Sequence, residues 1–185
     1  MNVLICGFGV FGRKHAEAWK KAAVDCKLLV ADINPEMQKA AIEAGCNSED
    51  VGDFNDLISR ADIVDIVTTS ESHFDLAKAS LSAGKPTLIE KPAVKSIEEA
   101  NFLNDKSEKR GLPVQVQFVL RAHPLVSLAQ KVISAGNIGR LVAMDGVFTG
   151  WKRMRPDASI LENDGVHMLD LMRLFAKTPP DDFHV

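Results

Sequence analysis

Asn2-Val3-Leu4-Ile5-Cys6-Gly7-Phe8-Gly9-Val10-Phe11-Gly12, followed by helix-forming residues from Arg13 to Ala23, is the stretch that decides the fold. An apolar strand runs into a glycine turn that opens a helix, and in that context the spacing G-x-G-x-x-G signifies dinucleotide binding. Each glycine has its own task. Gly7 makes the tight turn, Gly9 leaves room for a diphosphate against the backbone, and Gly12 lets helix and strand pack closely. The helix N-terminus then offers free N–H groups and the positive end of its dipole to an anion. A second strand, Lys27 to Ala31, ends at Asp32, where a carboxylate can accept hydrogen bonds from the adenosine ribose hydroxyls. That carboxylate would repel a 2′-phosphate, and the residues after it are Ile33 and Asn34, with no arginine. NAD is therefore expected in preference to NADP, with Gly7, Phe8, Gly9, Val10, Phe11, Gly12 and Asp32 as its first contacts.

Downstream, strand and helix patterns alternate with clear punctuation. Asn34 caps a helix opened by Pro35 and stopped near Gly45, and Asp53 is placed to cap Phe54 to Arg60. Ile63 to Thr68 reads as a largely buried strand, Ser72 to Ala83 as a helix ended by Gly84, and Pro86 to Ile89 as a further strand. Ser96-Ile97-Glu98-Glu99 is a capping box for a helix to about Lys109, and Val114 to Val119 forms the next strand. Repeated strand-helix-strand order with short connections predicts an α/β fold, a doubly wound parallel sheet with right-handed crossovers. Its ligand crevice lies beyond the carboxyl ends of the strands, which adds Thr68, Thr69, Ser70, Glu90 and Lys91 to the candidate cofactor contacts.

Beyond Val119 the pattern changes. Pro124 to Ala135 is a helix, Leu141 to Phe148 alternates like a half-exposed strand, and Asn163 to Phe175 is a last helix. Residues 1–120 are therefore assigned to a dinucleotide-binding domain. Residues 121–185 are assigned to a hinge helix and the start of an incomplete α+β substrate domain, the chain being expected to form the N-terminal portion of a longer protein. The apolar positions Met168, Leu171, Met172 and Phe175 need a covering surface, and the segment after about Gly150 is expected to pack poorly by itself.

The global numbers exclude several classes. At 185 residues the chain can bury a full core, and its net charge of -3 without long runs of one sign gives no footprint for nucleic acid or an anionic membrane surface. The three cysteines Cys6, Cys26 and Cys46 contain no C-x-x-C pair, which favours reduced thiols in a cytoplasmic protein, and no metal site is read. No signal peptide and no apolar run of membrane-spanning length is present.

The ordered motifs G-F-G-V-F-G, T-S-E-S-H at Thr69 to His73, Glu90-Lys91-Pro92, R-x-x-P at Arg121 to Pro124 and G-x-H-x-x-D at Gly165 to Asp170 carry a family resemblance. Together they resemble the family named for glucose-fructose oxidoreductase, inositol dehydrogenase and the rhizopine catabolism protein MocA. Two positions depart from its usual pattern: Thr69-Ser70 replaces Thr-Pro, and Asn163, followed by Asp164, replaces an acidic residue four before the histidine. The resemblance implies that Lys91 hydrogen-bonds a substrate hydroxyl and that His167 acts as base; Asp164 and Asp170 flank His167 at i−3 and i+3, where either could orient its ring and where Asn163 or Asp164 could instead cap the helix. It also adds His73 as a cofactor-site position. Arg121, Lys152 and Arg153 are candidate substrate contacts, the last two from a cationic run beside Trp151 suited to an anion. His167 also shares a helical face with Leu171 and Leu174, the pattern of a core histidine. The expected function is NAD-dependent hydride transfer to or from a secondary alcohol of a small polyol, sugar or nucleotide sugar by a homo-oligomer. The alternative is a non-catalytic dinucleotide-binding sensor on the same fold.

Overall fold

The computed structural model describes residues 1–22, 25–149 and 159–177. The chain forms two compact units, Met1–Gln117 and Phe118–Val185. In the first, the elements are β1 (Asn2–Cys6), α1 (Val10–Ala22), β2 (Lys27–Ala31), α2 (Pro35–Glu43), β3 (Val51–Gly52), α3 (Phe54–Leu57), β4 (Ile63–Ile66), α4 (His73–Ser82), β5 (Thr87–Glu90), α5 (Ile97–Arg110) and β6 (Val114–Gln117). The strands build one sheet in the order β3-β2-β1-β4-β5-β6. Every pairing is parallel: Asn2 lies opposite Lys27 and Cys6 opposite Ala31 on one side of β1, and Cys6 opposite Ile66 on the other. This is the doubly wound order with its reversal between β1 and β4, where a crevice opens at the strands' carboxyl ends.

Strand periodicity divides the core into two layers. Leu4, Leu29, Val64, Ile66 and Ile89 point to one face and pack with Leu57, Ala77, Leu81 and Leu103 of α3, α4 and α5. Val3, Ile5, Leu28 and Val30 point to the other and pack with Ala16 of α1 and Ala41 of α2. Central parallel strands buried on both faces need apolar residues at nearly every position. Asp65 of β4 breaks that rule while fully buried, so it must be paired.

Local signals operate with small differences. The Asn34 side chain accepts from the Glu36 N–H at 3.0 Å, as its capping role requires. Asp53 holds the N-cap position of α3 but makes no side-chain capping bond, and α3 continues as a 3-10 turn over Ile58–Arg60. In the capping box Ser96 accepts from the Glu99 N–H at 3.2 Å, whereas the Glu99 carboxylate reaches back to the Lys95 N–H at 2.9 Å, one residue earlier than the standard arrangement. β3 escaped the sequence reading because it contributes only a two-residue bridge, Val30 to Val51 and Ala31 to Gly52.

The second unit contains α6 (Pro124–Ser134) and α7 (Val166–Ala176), the latter preceded by a π turn over Leu161–Gly165. The strand expected at Leu141 to Phe148 does not form: residues 141–149 carry no regular structure, and Val142 and Val147 are 78% and 82% exposed. Alternation states which side chains could be buried, but a strand exists only through backbone pairing, and no described residue pairs with this segment. Instead it lies against α7: a Cβ on Gly146 would meet Met172 Cε at 3.1 Å and Met168 Sδ at 3.3 Å. Met168, Leu171, Met172 and Phe175 are half-buried. The segment from Gly150, with Lys152 and Arg153, lies outside the described residues. Among the described residues no helix is long and apolar enough to cross a membrane.

Candidate active site

The glycine turn is shaped as its spacing demands. Gly7 sits at φ +92°, and a Cβ there would press on the Thr68 backbone and the Val67 carbonyl at 3.0 Å. At Gly12 a Cβ would stand 2.0 Å from the Gly7 carbonyl oxygen, so helix and turn meet backbone to backbone. Gly9 faces open space, with nothing within 4 Å of a Cβ built there. Val10 and Phe11 are 72% and 48% exposed beside it, whereas the Phe8 side chain belongs to the core. The Gly7 N–H donates to the Ala31 carbonyl at 2.7 Å, and the Phe8 N–H to Asp32 Oδ2 at 2.7 Å. Asp32 Oδ1 accepts from the Asn34 N–H at 2.8 Å. Its carboxylate thus braces the turn, and its two accepted bonds leave further lone pairs.

Across the strand reversal, the ends of β4 and β5 supply Thr68, Thr69, Ser70, Glu90 and Lys91. The Ser72 hydroxyl donates to Thr68 Oγ1 at 2.7 Å. His73 is buried, with Nδ1 2.9 Å from the Pro92 carbonyl and Nε2 3.1 Å from the Thr68 carbonyl. Both ring nitrogens lie against backbone carbonyls inside the unit, so His73 is held between the two strand ends. The Lys91-Pro92 peptide is cis.

A charged network that the sequence reading did not assemble underlies these turns. His15 of α1 places Nδ1 2.9 Å from Asp65 Oδ2 and Nε2 3.2 Å from Glu90 Oε1. The Trp19 indole N–H donates to Asp65 Oδ2 at 2.7 Å. Glu90 Oε2 accepts from the Lys91 N–H at 3.0 Å. Burial alone would lower the His15 pKa, but its hydrogen bonds to Asp65 and Glu90, and their charges, outweigh that effect and raise it from 6.5 to about 9. The available signal was a carboxylate inside the apolar run Ile63 to Ile66, with His15 and Trp19 four residues apart on one helix.

The sign of the resulting pH dependence is fixed. A folded pKa above the unfolded value stabilises the protein fully below pH 6.5, and this contribution is lost as the pH rises through about 9. His15→Gln should therefore lower stability by about 2 to 3 kcal/mol at pH 6 and by much less at pH 9.5, as read from urea denaturation. An equal deficit at both pH values would show that the native ring is not charged.

In the second unit, Arg121 pairs with Asp170. Its Nε lies 3.0 and 2.8 Å from the two Asp170 oxygens, and Nη2 2.6 Å from Oδ1. The Asp170 carboxylate is buried, and the pair fastens the Val119–Ala122 turn to α7. His167 is the second residue of α7, with its ring edge-on to Phe118 at a centroid distance of 6.4 Å. Asp164 lies in the π turn just before it, and π turns are frequent near functional sites.

The family model described as "Oxidoreductase family, NAD-binding Rossmann fold" matches residues 1–118. The chain belongs to this family. Levoglucosan dehydrogenase of Pseudarthrobacter phenanthrenivorans is 30% identical over 158 residues, covering 80% of this chain and 40% of that protein. Inositol 2-dehydrogenase 2 of Saccharopolyspora erythraea is 30% identical over 181 residues, covering 94% and 53%. This chain thus spans about half the length of the curated relatives it matches. Among solved structures, UDP-N-acetylglucosamine 3-dehydrogenase of Acidithiobacillus ferrooxidans matches at TM-score 0.77 with 27% identity, over 98% of this chain and 58% of that one. Scyllo-inositol dehydrogenase of Lactobacillus casei, with bound NAD(H) and scyllo-inositol, matches at TM-score 0.80 and 22% identity, over 96% and 56%, which shows the fold.

Proposed function

We propose that this chain serves an NAD-dependent oxidoreductase moving hydride between nicotinamide and a secondary alcohol of a sugar, cyclitol or nucleotide sugar. The observation that carries this reading is the open space at Gly9, framed by the close-packed Gly7 and Gly12 and by Asp32, on the same strand ends as Lys91. A cradle that any larger side chain at Gly9 would fill fits a dinucleotide diphosphate. The relatives named for levoglucosan, inositol and UDP-N-acetylglucosamine dehydrogenation support the substrate class.

In this reading the N–H groups from Gly9 to Gly12 and the α1 N-terminus hold the diphosphate, and Asp32 accepts from the adenosine ribose hydroxyls. When bound, NAD supplies the hydride acceptor. Lys91 donates a hydrogen bond to the substrate hydroxyl, fixing the carbon that loses hydride. His167, on α7 of the second unit, is assigned the role of general base. Asp164, one turn before it, is assigned to orient the ring.

Calorimetric titration tests the cofactor assignment. NADH should bind at least roughly tenfold more tightly than NADPH, about 1.4 kcal/mol, the scale of one like-charge contact near a surface. Asp32→Ala should narrow the gap, and tighter binding of NADPH by the unaltered protein would reverse the assignment. A screen of inositols, anhydrosugars and nucleotide sugars for NAD reduction tests the reaction. On whichever substrate turns over, His167→Ala should lower kcat by roughly 100-fold while NAD affinity stays near that of the parent. A parallel loss of folding stability and activity would show a core histidine instead.

A further inference from the structure

The network around Asp65 reaches the Lys91 turn through one side chain. Both His15 nitrogens face carboxylate oxygens, Asp65 at 2.9 Å and Glu90 at 3.2 Å. Carboxylates only accept, so both nitrogens must donate, and only the imidazolium does that. Glu90 divides its oxygens, Oε1 toward His15 and Oε2 to the Lys91 N–H at 3.0 Å. His15 therefore links the helix behind the glycine turn to the backbone of the residue assigned to the substrate hydroxyl.

We propose that His15 is a positioning residue: its cationic ring, held between Asp65 and Glu90, aims the Glu90 carboxylate at the Lys91 N–H and so sets Lys91 for reaction. The catalytic part of this inference rests on the function proposed above; the structural part does not. Asp65 is served by His15 Nδ1 and by the Trp19 indole N–H at 2.7 Å, so the contact of His15 Nε2 to Glu90 adds nothing to its pairing. The contact to Glu90 is the one that reaches the active-site turn. The charged groups facing the ring are Asp65 from β4 and Glu90 from β5. On β1, burial and then the Asp65 charge push the Cys6 thiol far up, so it stays neutral. Deprotonating His15 leaves one nitrogen without a hydrogen, and the Glu90 carboxylate then loses its restraint.

Nitrogen-15 NMR of the uniformly labelled protein tests this between pH 6 and 10.5. The His15 ring nitrogens should titrate near pH 9 and the Lys91 amide should shift with the same midpoint. Glu90→Gln should lower the His15 midpoint and uncouple the Lys91 amide from it, and His15→Gln should abolish that titration of the amide. A Lys91 amide that ignores the His15 titration overturns the proposal. The kinetic arm uses the substrate found in the screen: His15→Gln should lower kcat by roughly tenfold with NAD affinity within about twofold, the pattern of lost positioning. The parent protein should also lose activity as the pH passes about 9, and the variant should lack that limb. Equal losses of kcat and NAD affinity would make His15 merely structural. If the protein does not bind NADH, the proposed function fails while the NMR arm still decides the positioning.

Discussion

Gly12→Ala should lose about 3 kcal/mol or more of stability and most of its NAD affinity, because a methyl at this position stands 2.0 Å from the Gly7 carbonyl oxygen. Neither neighbour can yield cheaply. The clash is with backbone, and Gly7 is itself fixed against the Thr68 backbone at 3.0 Å and bonded to the Ala31 carbonyl at 2.7 Å. Relief requires α1 to lift away from β1, exposing Ala16 and its packing against Val3, Ile5 and Val30. Gly9→Ala provides the contrast. Nothing lies within 4 Å of its added methyl and its φ is not in the left-handed range, so stability should hold within about 0.5 kcal/mol. NAD affinity should nonetheless fall by roughly tenfold or more, since the methyl occupies the space assigned to the diphosphate. Denaturation midpoints and cofactor titrations on the two variants separate the effects. A Gly12→Ala protein as stable as its parent would refute the close approach of helix and turn, and a Gly9→Ala protein that binds NAD normally would move the diphosphate elsewhere.

The second large effect is expected at Asp65. Asp65→Ala should destabilise the first unit by about 3 to 5 kcal/mol at neutral pH, the scale for removing one partner of a buried ion pair. The carboxylate is fully buried and satisfies two donors, the His15 ring and the Trp19 indole at 2.9 and 2.7 Å. Deleting it leaves both without their main acceptor, and the His15 charge then keeps only the longer contact to Glu90 at 3.2 Å. Adding His15→Leu to Asp65→Ala should restore part of the loss, because the orphaned charge goes with it. This non-additivity, measured as a double-mutant cycle, is the signature of the pair. A cost below about 1 kcal/mol for Asp65→Ala would mean that the pair contributes little beyond its desolvation penalty.

These two sites differ in how far the sequence exposed them. The glycine spacing is a local pattern: turn, strand and helix are adjacent in the chain, so Gly7, Gly9, Gly12 and the ends of β1 and α1 could be read directly. Asp32 followed from the same reasoning, because the length of one helix and one strand fixes where the second strand ends. Asp65 was visible as an acidic residue in an apolar strand, but its partners His15 and Trp19 lie 50 and 46 residues earlier, and Glu90, which meets the other His15 nitrogen, stands on the neighbouring strand, so only the fold brings them together.

By itself, then, the sequence determined the doubly wound sheet, the crevice and the glycine cradle, because hydrophobic period, caps and turn glycines act over a few residues and are written in order. Tertiary structure alone decided what each polar group spends its bonds on. Arg121 and Asp170, 49 residues apart, close on each other. His73 binds the carbonyls of Thr68 and Pro92, and Asp32 braces the turn it faces. Alternation at Leu141 to Phe148 suggested a strand, yet pairing needs a neighbouring backbone, and the described chain places Met168 and Met172 there instead. Donors and acceptors are assigned by distance in three dimensions, and spacing along the chain carries no information about that distance beyond the nearest turn.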